Sequence, residues 1–323
     1  MQLFKAQTFT QVCLGQLLSL CITGTSSASS ALWQHYGISI PFTQNLVNYL
    51  ILFIVYYGSS ILIFKHKSFS KSSWQFLGFS FADVGGNVLA VLAFKRTSVL
   101  SALILSSWSI PCIMLLSTYF LHAKYTATHI KSAALCLLGL AILIWCDTIE
   151  SDDASANHSW IGDVICLMSA SLYAISNVTE EHLVRSHTSF EFLGKAGLWG
   201  SVLCGIQALY FEYDTWITTQ WSIHSVLLVA VYVLCLFCMY SLVPIVYRMA
   251  GAAFLSMSLI TSNFYSLLVG ICFLDAKMPQ FYPISYTLVI VGVVFYSLAP
   301  SPTSEDDEQR QINKSSFNIS SYT

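Results

Sequence analysis

One aspartate stands in the middle of an apolar run, Phe81-Ala82-Asp83-Val84-Gly85-Gly86-Asn87. The run begins near residue 74, which puts Asp83 about ten residues into a helix, roughly 15 Å deep at 1.5 Å per residue and near a bilayer centre. An acid at that depth is a functional candidate by default, and its uses are proton relay, ion coupling or holding a cationic group. Asn87 follows one helical turn later on the same face. Gly85 and Gly86 let a backbone or a solute come close. The plainer reading is an aspartate satisfied by hydroxyls and amides of neighbouring helices.

Other polar side chains form stripes in apolar surroundings. Ser169, Tyr173, Ser176, Asn177 and Glu180 share one helical face, as do Gln16, Ser19, Thr23 and Ser26; Ser258, Ser262 and Tyr265 form a third stripe, with Asn263 beside them. Interhelical hydrogen bonds, worth only about 0.6 kcal/mol each on average, would explain isolated hydroxyls. Whole stripes point instead to a lined pathway. The candidate substrate-binding or coupling residues are therefore Asp83, Asn87, Tyr173, Asn177, Glu180, Asn263 and Gln16. Weaker signals have structural readings. Asp163 suits a helix N-terminus. Glu180 and Glu181 approach a span end where they could be solvated, and Lys195 can snorkel to headgroups. Gly197, Ser201 and Gly205 form a small-residue ridge that suits helix packing or a homodimer face. Pro111 and Pro244 can kink their helices. Cys235 and Cys238 have redox-motif spacing without a redox fold, so a packing role is expected, and no disulfide framework is implied. There is no P-loop, His-Glu-x-x-His or Gly-x-Ser-x-Gly sequence, and nothing implies a metal or cofactor or supports an enzyme.

The elements that must hold these residues follow from composition. Of 323 residues, 55% are hydrophobic and only 9% are charged, against about 25% charged in soluble domains. This excludes a soluble enzyme, a nucleic-acid binder, a disordered chain and a secreted disulfide scaffold. It leaves an all-α polytopic membrane protein in contact with lipid. Ten apolar segments are long enough to span: about 8–28, 42–64, 74–94, 98–121, 128–146, 160–182, 190–212, 222–247, 250–274 and 280–298. A cleaved leader is an alternative use of the first. The expected organisation is a cytosolic N-terminus (1–7), a five-helix repeat (8–146), an acidic non-cytosolic loop (147–159), a second five-helix repeat (160–298) and a disordered cytosolic tail (299–323).

Alternation puts Lys5, Lys65, Lys67, Lys71, Lys124, Lys131, Arg185, Lys195, Arg248, Arg310 and Lys314 on the side of the N-terminus, against Lys95, Arg96 and Lys277 on the other. That bias predicts both termini in the cytosol. Sequons at Asn157, Asn313 and Asn318 test it, because glycan on either tail site would reverse it. The halves also match at one offset: Phe120-Leu121-His122-Ala123-Lys124 aligns with Phe273-Leu274-Asp275-Ala276-Lys277, Ser109 with Ser262, Leu115 with Leu268 and Gly139 with Gly292. Two five-span repeats lie inverted in a membrane, and exchange of their conformations opens a midplane site to one side and then the other. The expectation is a secondary transporter of a small solute, with a proton as one coupling ion.

The blocks Ala82-Asp83-Val84-Gly85-Gly86-Asn87, Ser106-Ser107-Trp108-Ser109-Ile110-Pro111-Cys112 and Leu172-Tyr173-Ala174-Ile175-Ser176-Asn177-Val178-Thr179-Glu180-Glu181 resemble subfamily F of the solute carrier 35 family. Gly162-Asp163, Glu191-Phe192-Leu193-Gly194 and Tyr240-Ser241-Leu242-Val243-Pro244 fit it too. The resemblance spans roughly residues 10–298. It implies the drug/metabolite transporter superfamily, ten helices in two inverted repeats, and a nucleobase- or nucleoside-like solute. A nucleotide-sugar transporter of the Golgi or endoplasmic reticulum is the alternative, and a non-transporting scaffold or receptor-like paralogue is another. The Golgi, plasma membrane and vacuole all suit it. Relatives usually carry an acid where this chain has Gly85, and an apolar residue where it has Lys195.

Overall fold

The computed structural model describes residues 2–60, 73–94, 96, 105–150, 160–274 and 282–299. Among these residues every regular element is a helix. The order is α1 (Gln2–Tyr36), α2 (Pro41–Leu52) continued by a π-helical turn at Phe53–Tyr57, α3 (Ser73–Phe94), α4 (Ser109–Phe120), α5 (Ala127–Glu150), α6 (Trp160–Ser186), α7 (Ser189–Phe211), the short α8 (Tyr213–Thr218), α9 (Ile223–Leu259), α10 (Thr261–Leu274) and α11 (Tyr282–Leu298). Among the described residues five stretches are long and apolar enough to cross a bilayer: Thr8–Tyr36, Trp74–Ala93, Ile161–Ser186, Ser189–Phe211 and Ile223–Val269. The acidic loop beyond Glu150, the three sequons, Lys95, Lys277 and the tail from residue 300 lie outside the described residues.

Helix ends follow local chemistry. α1 continues past residue 28 to Tyr36 because nothing breaks it before Gly37, whose φ of 66° suits glycine. α2 starts at Pro41, but no side chain of its own caps it. Glu212, just after α7, does so from across the bundle. Its carboxylate accepts the Phe42 amide at 2.7 Å, the Thr43 amide at 2.8 Å and the Thr43 hydroxyl at 2.5 Å. Burial holds the Glu212 carboxyl above its ordinary range, against the lowering effect of those three bonds. α9 is two helices joined at Gly251, where φ is 80° and ψ 174°. The restarting helix is capped by Glu181 of α6, whose carboxylate accepts the Ala252 amide at 2.8 Å and pairs with Arg185 at 2.7 Å.

α1 packs along α9, α3 along α6, α2 along α7 and α5 along α11. One core, including Tyr49, Phe76, Phe79, Phe192, Tyr247 and Phe254, runs through the pairs. The small-residue ridge of α7 is used inside the chain. A Cβ on Gly197 would lie 2.6 Å from the Phe53 nitrogen, and one on Gly200 would lie 2.5 Å from the Tyr49 ring, so that face is filled by α2. Among the described residues no disulfide joins the cysteines.

Three sequence expectations about charge and polarity are corrected. Glu180 and Glu181 are not solvated; each is 5% exposed, because α6 faces α9 there. Lys195 does not reach toward headgroups: it is buried, 2.6 Å from Glu191 and 4.7 Å from the Phe76 ring centre. The α1 stripe is largely helix glue. Ser19 donates to the Ser258 carbonyl at 2.7 Å and Thr23 to the Ser262 carbonyl at 3.2 Å, satisfying backbone where α9 gives way to α10. Ser26 alone of that stripe opens onto a cleft of about 500 Å³ between α1, α9 and α10.

Candidate functional site

Four helices meet at Asp83. Tyr49 of α2 donates its hydroxyl to Oδ2, and Tyr240 of α9 donates to the same oxygen at 3.0 Å. The two phenol oxygens are 2.9 Å apart. Ser176 of α6 reaches Oδ1 at 3.5 Å. The carboxylate is thus ringed by hydroxyl donors, the condition under which an acid can persist inside an apolar bundle.

One turn along α3, Asn87 accepts the Tyr173 hydroxyl at 2.7 Å. The bare Cα of Gly86 permits this. A Cβ there would sit 3.3 Å from the Tyr173 ring, and Ser169 donates to the Gly86 carbonyl at 2.8 Å. A side chain at Gly85 would instead meet Leu172, at 3.5 Å. Along α6, Asn177 accepts the Tyr247 hydroxyl at 3.2 Å, and Glu180 follows one turn beyond Ser176. The nearby helix carries its own irregularity. Pro244 has no N–H, so the Tyr240 carbonyl four residues earlier lacks its helical donor beside the site. Asp83, Asn87, Tyr173, Asn177 and Tyr240 all keep partial exposure although they face the interior.

The structure therefore gathers Asp83, Asn87, Tyr173 and Asn177, with Glu180 adjoining. Gln16 lies elsewhere, accepting the Tyr265 hydroxyl at 2.8 Å. Asn263 is half-buried on α10. Among the described residues no hydrogen bond links Gln16 or Asn263 to the Asp83 group. Sequence reasoning missed Tyr49, Tyr240 and Tyr247. The chain has 17 tyrosines, so residue type could not single them out; the position of Tyr240 four residues before a mid-helix proline was the available signal.

Chemically, the arrangement offers one carboxyl able to bind or release a proton, a ring of phenols and two amides able to orient a solute. Among the described residues no set of three His, Cys, Asp or Glu side chains could hold a metal ion.

Comparison with known proteins agrees with this picture. The family model for solute carrier family 35 (SLC35F) matches residues 4–298. Solute carrier family 35 member F2 of Mus musculus is 35% identical over 314 residues, covering 95% of this chain and 83% of that one. The Xenopus tropicalis protein of the same name is 30% identical over 315 residues, covering 94% and 80%. A crystal structure at 15% identity superimposes with a TM-score of 0.71 over 90% of this chain and 98% of the other, a likeness of fold alone. The chain belongs to solute carrier family 35, whose members are integral multi-pass membrane proteins that carry solutes and are not enzymes.

Proposed function

We propose that the protein is a secondary active transporter of a small polar organic solute, with ten spans in two inverted five-helix halves and Asp83 as the central coupling residue. The observation that carries this reading is the convergence of α2, α3, α6 and α9 on one carboxylate. A group held by both halves senses any movement of one against the other.

Internal symmetry supports the inverted repeat. Cys136 of α5 lies against Val289 of α11, its thiol 3.6 Å from the carbonyl and 153 positions away. On either side, a Cβ at Gly139 would meet the Ser285 carbonyl at 2.9 Å, and one at Gly292 would meet the Ser132 carbonyl at 3.0 Å. Gly139 and Gly292, like Ser132 and Ser285, stand at that same offset, so the crossing is self-complementary about a two-fold axis. The packing repeats too. α1 against α9 corresponds to α6 against α3, α1 against α10 to α6 against α4, and α3 against α7 to α9 against α2. This is the design in which rocking of one half on the other exposes a central site alternately.

In this reading Asp83 takes a proton on one side and releases it on the other, while Asn87, Tyr173 and Asn177 bind a nucleobase- or nucleoside-like solute. Among the described residues Tyr49, Tyr173, Cys204, Tyr240 and Tyr247 lie within electrostatic reach of Asp83, with Glu180 nearby. A nucleotide sugar suits the site poorly, because its diphosphate needs cations and no Lys or Arg among the described residues touches Asp83, Asn87, Tyr173 or Asn177. Both termini lie in the cytosol on the charge bias. Proteoliposome counterflow across a solute panel at two pH values tests the reading. Asp83→Asn should abolish uptake or its pH dependence while the protein elutes as the wild type does. Unchanged, pH-independent transport by that variant removes Asp83 from the mechanism, and zero exchange for every solute leaves a scaffold.

A further inference from the structure

The offset of 153 positions that pairs the halves also pairs two clefts, and the two are unequal. The cleft of about 500 Å³ between α1, α9 and α10 is lined by Ser26, Ser30, Ala31, Gln34, Leu228 and Ser266 among others. A second, of about 240 Å³, lies between α4 and α6 and is lined by Leu116, Phe120, Thr179 and His182 among others. Ser26 and Thr179 stand at the offset, as do Leu116 and Val269, which lines the larger cleft. The clefts therefore occupy corresponding joints, α1 on α10 and α6 on α4. They lie at opposite ends of the bundle. Leu228 shares an apolar cluster with Trp216, just past the end of α7, whereas His182 precedes the start of α7.

The corresponding positions are open at one end and closed at the other. Ser30, Ala31 and Ser266 line the larger cleft, but their counterparts Leu183, Val184 and Ile113 are at most 1% exposed. Aromatic packing closes that end. Phe76 of α3 is fully buried, its ring 5.2 Å from the His187 ring and 6.2 Å from that of Phe192, with the Lys195 ammonium 4.7 Å from its centre. Arg248 fixes the turn that carries His187, donating to the Val184 carbonyl at 2.9 Å and the His187 carbonyl at 2.8 Å. At the open end the offset puts Val229 in the place of Phe76 and Gln34 in the place of His187. A valine and a flexible carboxamide form no ring pair, so less holds that end shut.

We propose that the larger cleft is the mouth through which a solute reaches the Asp83 group from the non-cytosolic side, and that Phe76 and His187 form the gate that shuts the corresponding mouth at the cytosolic end. Phe76 belongs to the first half and His187 to the second, so their contact must part for that end to open. The volume of the open cleft suits a small organic solute. This rests on the transporter reading above, and adds which end stands open and which residues hold the other closed.

The test compares cysteines placed at corresponding positions, Ala31→Cys and Val184→Cys, in purified full-length protein. Each is reacted with the charged thiol reagent 2-(trimethylammonium)ethyl methanethiosulfonate. Labelling is read by mass on the peptide that carries the new cysteine, which keeps the native cysteines out of the measurement. A minor state populated at about 10% or less slows labelling by at least about tenfold, so Ala31→Cys should label faster than Val184→Cys by that factor. His187→Gln, alone or with Phe76→Val, gives the closed end the residues of the open one. Loss of the ring pair should narrow the ratio by about 2- to 10-fold. If the double variant does not fold, His187→Gln decides alone. Equal labelling of the two positions, no labelling of Ala31→Cys, or a ratio unmoved by the gate variants overturns the proposal. Proteoliposome exchange separates the two readings. A labelling ratio that narrows as expected in a protein that exchanges no solute supports the gate and refutes transport. Solute exchange by a protein whose two positions label equally refutes the gate and leaves transport standing.

Discussion

Replacing Gly251 by alanine strikes the joint between the two helices of α9. At φ 80° and ψ 174° this residue occupies backbone space essentially closed to a side chain. An alanine held there costs about 1–3 kcal/mol in strain. Its Cβ would also lie 3.1 Å from Glu181 Oε1 and 3.4 Å from Oε2, pressing on the carboxylate that caps Ala252. Displacing that charged hydrogen bond adds about 1.5–3 kcal/mol. The two costs together, about 2.5–6 kcal/mol with a middle near 4, correspond to a melting temperature lowered by about 8–16 °C at roughly 2–4 °C per kcal/mol. The assay is thermal unfolding of detergent-purified protein, followed by the loss of the monodisperse elution peak. Gly58→Ala is the matched control. Gly58 is regular helix, φ −59° and ψ −46°, and a Cβ added there would meet nothing within 4 Å. Alanine there should stabilise by about 0.4–1 kcal/mol. Equal melting of the two variants would refute the reasoning, because identical chemistry would then be indifferent to backbone conformation.

Three further expectations use other parts of the molecule. Tyr240→Phe removes one donor to Asp83, and loss of a hydrogen bond to a charged group should slow counterflow by about 10- to 150-fold, from about 1.5–3 kcal/mol, with elution unchanged; wild-type rates would remove Tyr240 from the site. Gly139→Ala and Gly292→Ala should destabilise by similar amounts, about 1–3 kcal/mol each, because each Cβ meets the partner helix's backbone at nearly the same distance; one costly and one neutral change would argue against a self-complementary crossing. Glu212 titrates above its ordinary value of 4.5 because it is buried. The folded protein therefore holds that proton more tightly than the unfolded chain. Its stabilisation is full below 4.5 and is lost as pH rises through the folded value. Melting of wild type against Glu212→Gln should show the wild type losing ground as pH climbs from 4.5 toward 7, and parallel curves would contradict the shift.

Much of this molecule is legible without coordinates because a bilayer leaves few choices. Apolar runs with almost no charge must become helices that satisfy their own backbone, so the all-α membrane class follows from composition. The depth of Asp83 is likewise a matter of counting residues. The run Tyr173 to Glu180 could be placed on one face by helical period alone. Gly139 and Gly292 could be matched by offset, although nothing in the sequence said that they meet the same crossing from opposite sides.

What the tertiary structure decided is which polar stripe does which work. Gln16, Ser19 and Thr23 look like a pathway in sequence, yet they serve mostly to hold α1 to the segments around Ser258 and Tyr265. Tyr49 and Tyr240 look like any other aromatic residue of a span, yet both end at the Asp83 carboxylate. Glu180 and Glu181 are adjacent and chemically alike. One caps a restarting helix beside an arginine, and the other is buried with an oxygen unsatisfied among the described residues. Helical period assigns a residue to a face of its own helix, and the sequence determined that much. Which neighbour that face meets depends on contacts between segments far apart in the chain, and only packing decides it.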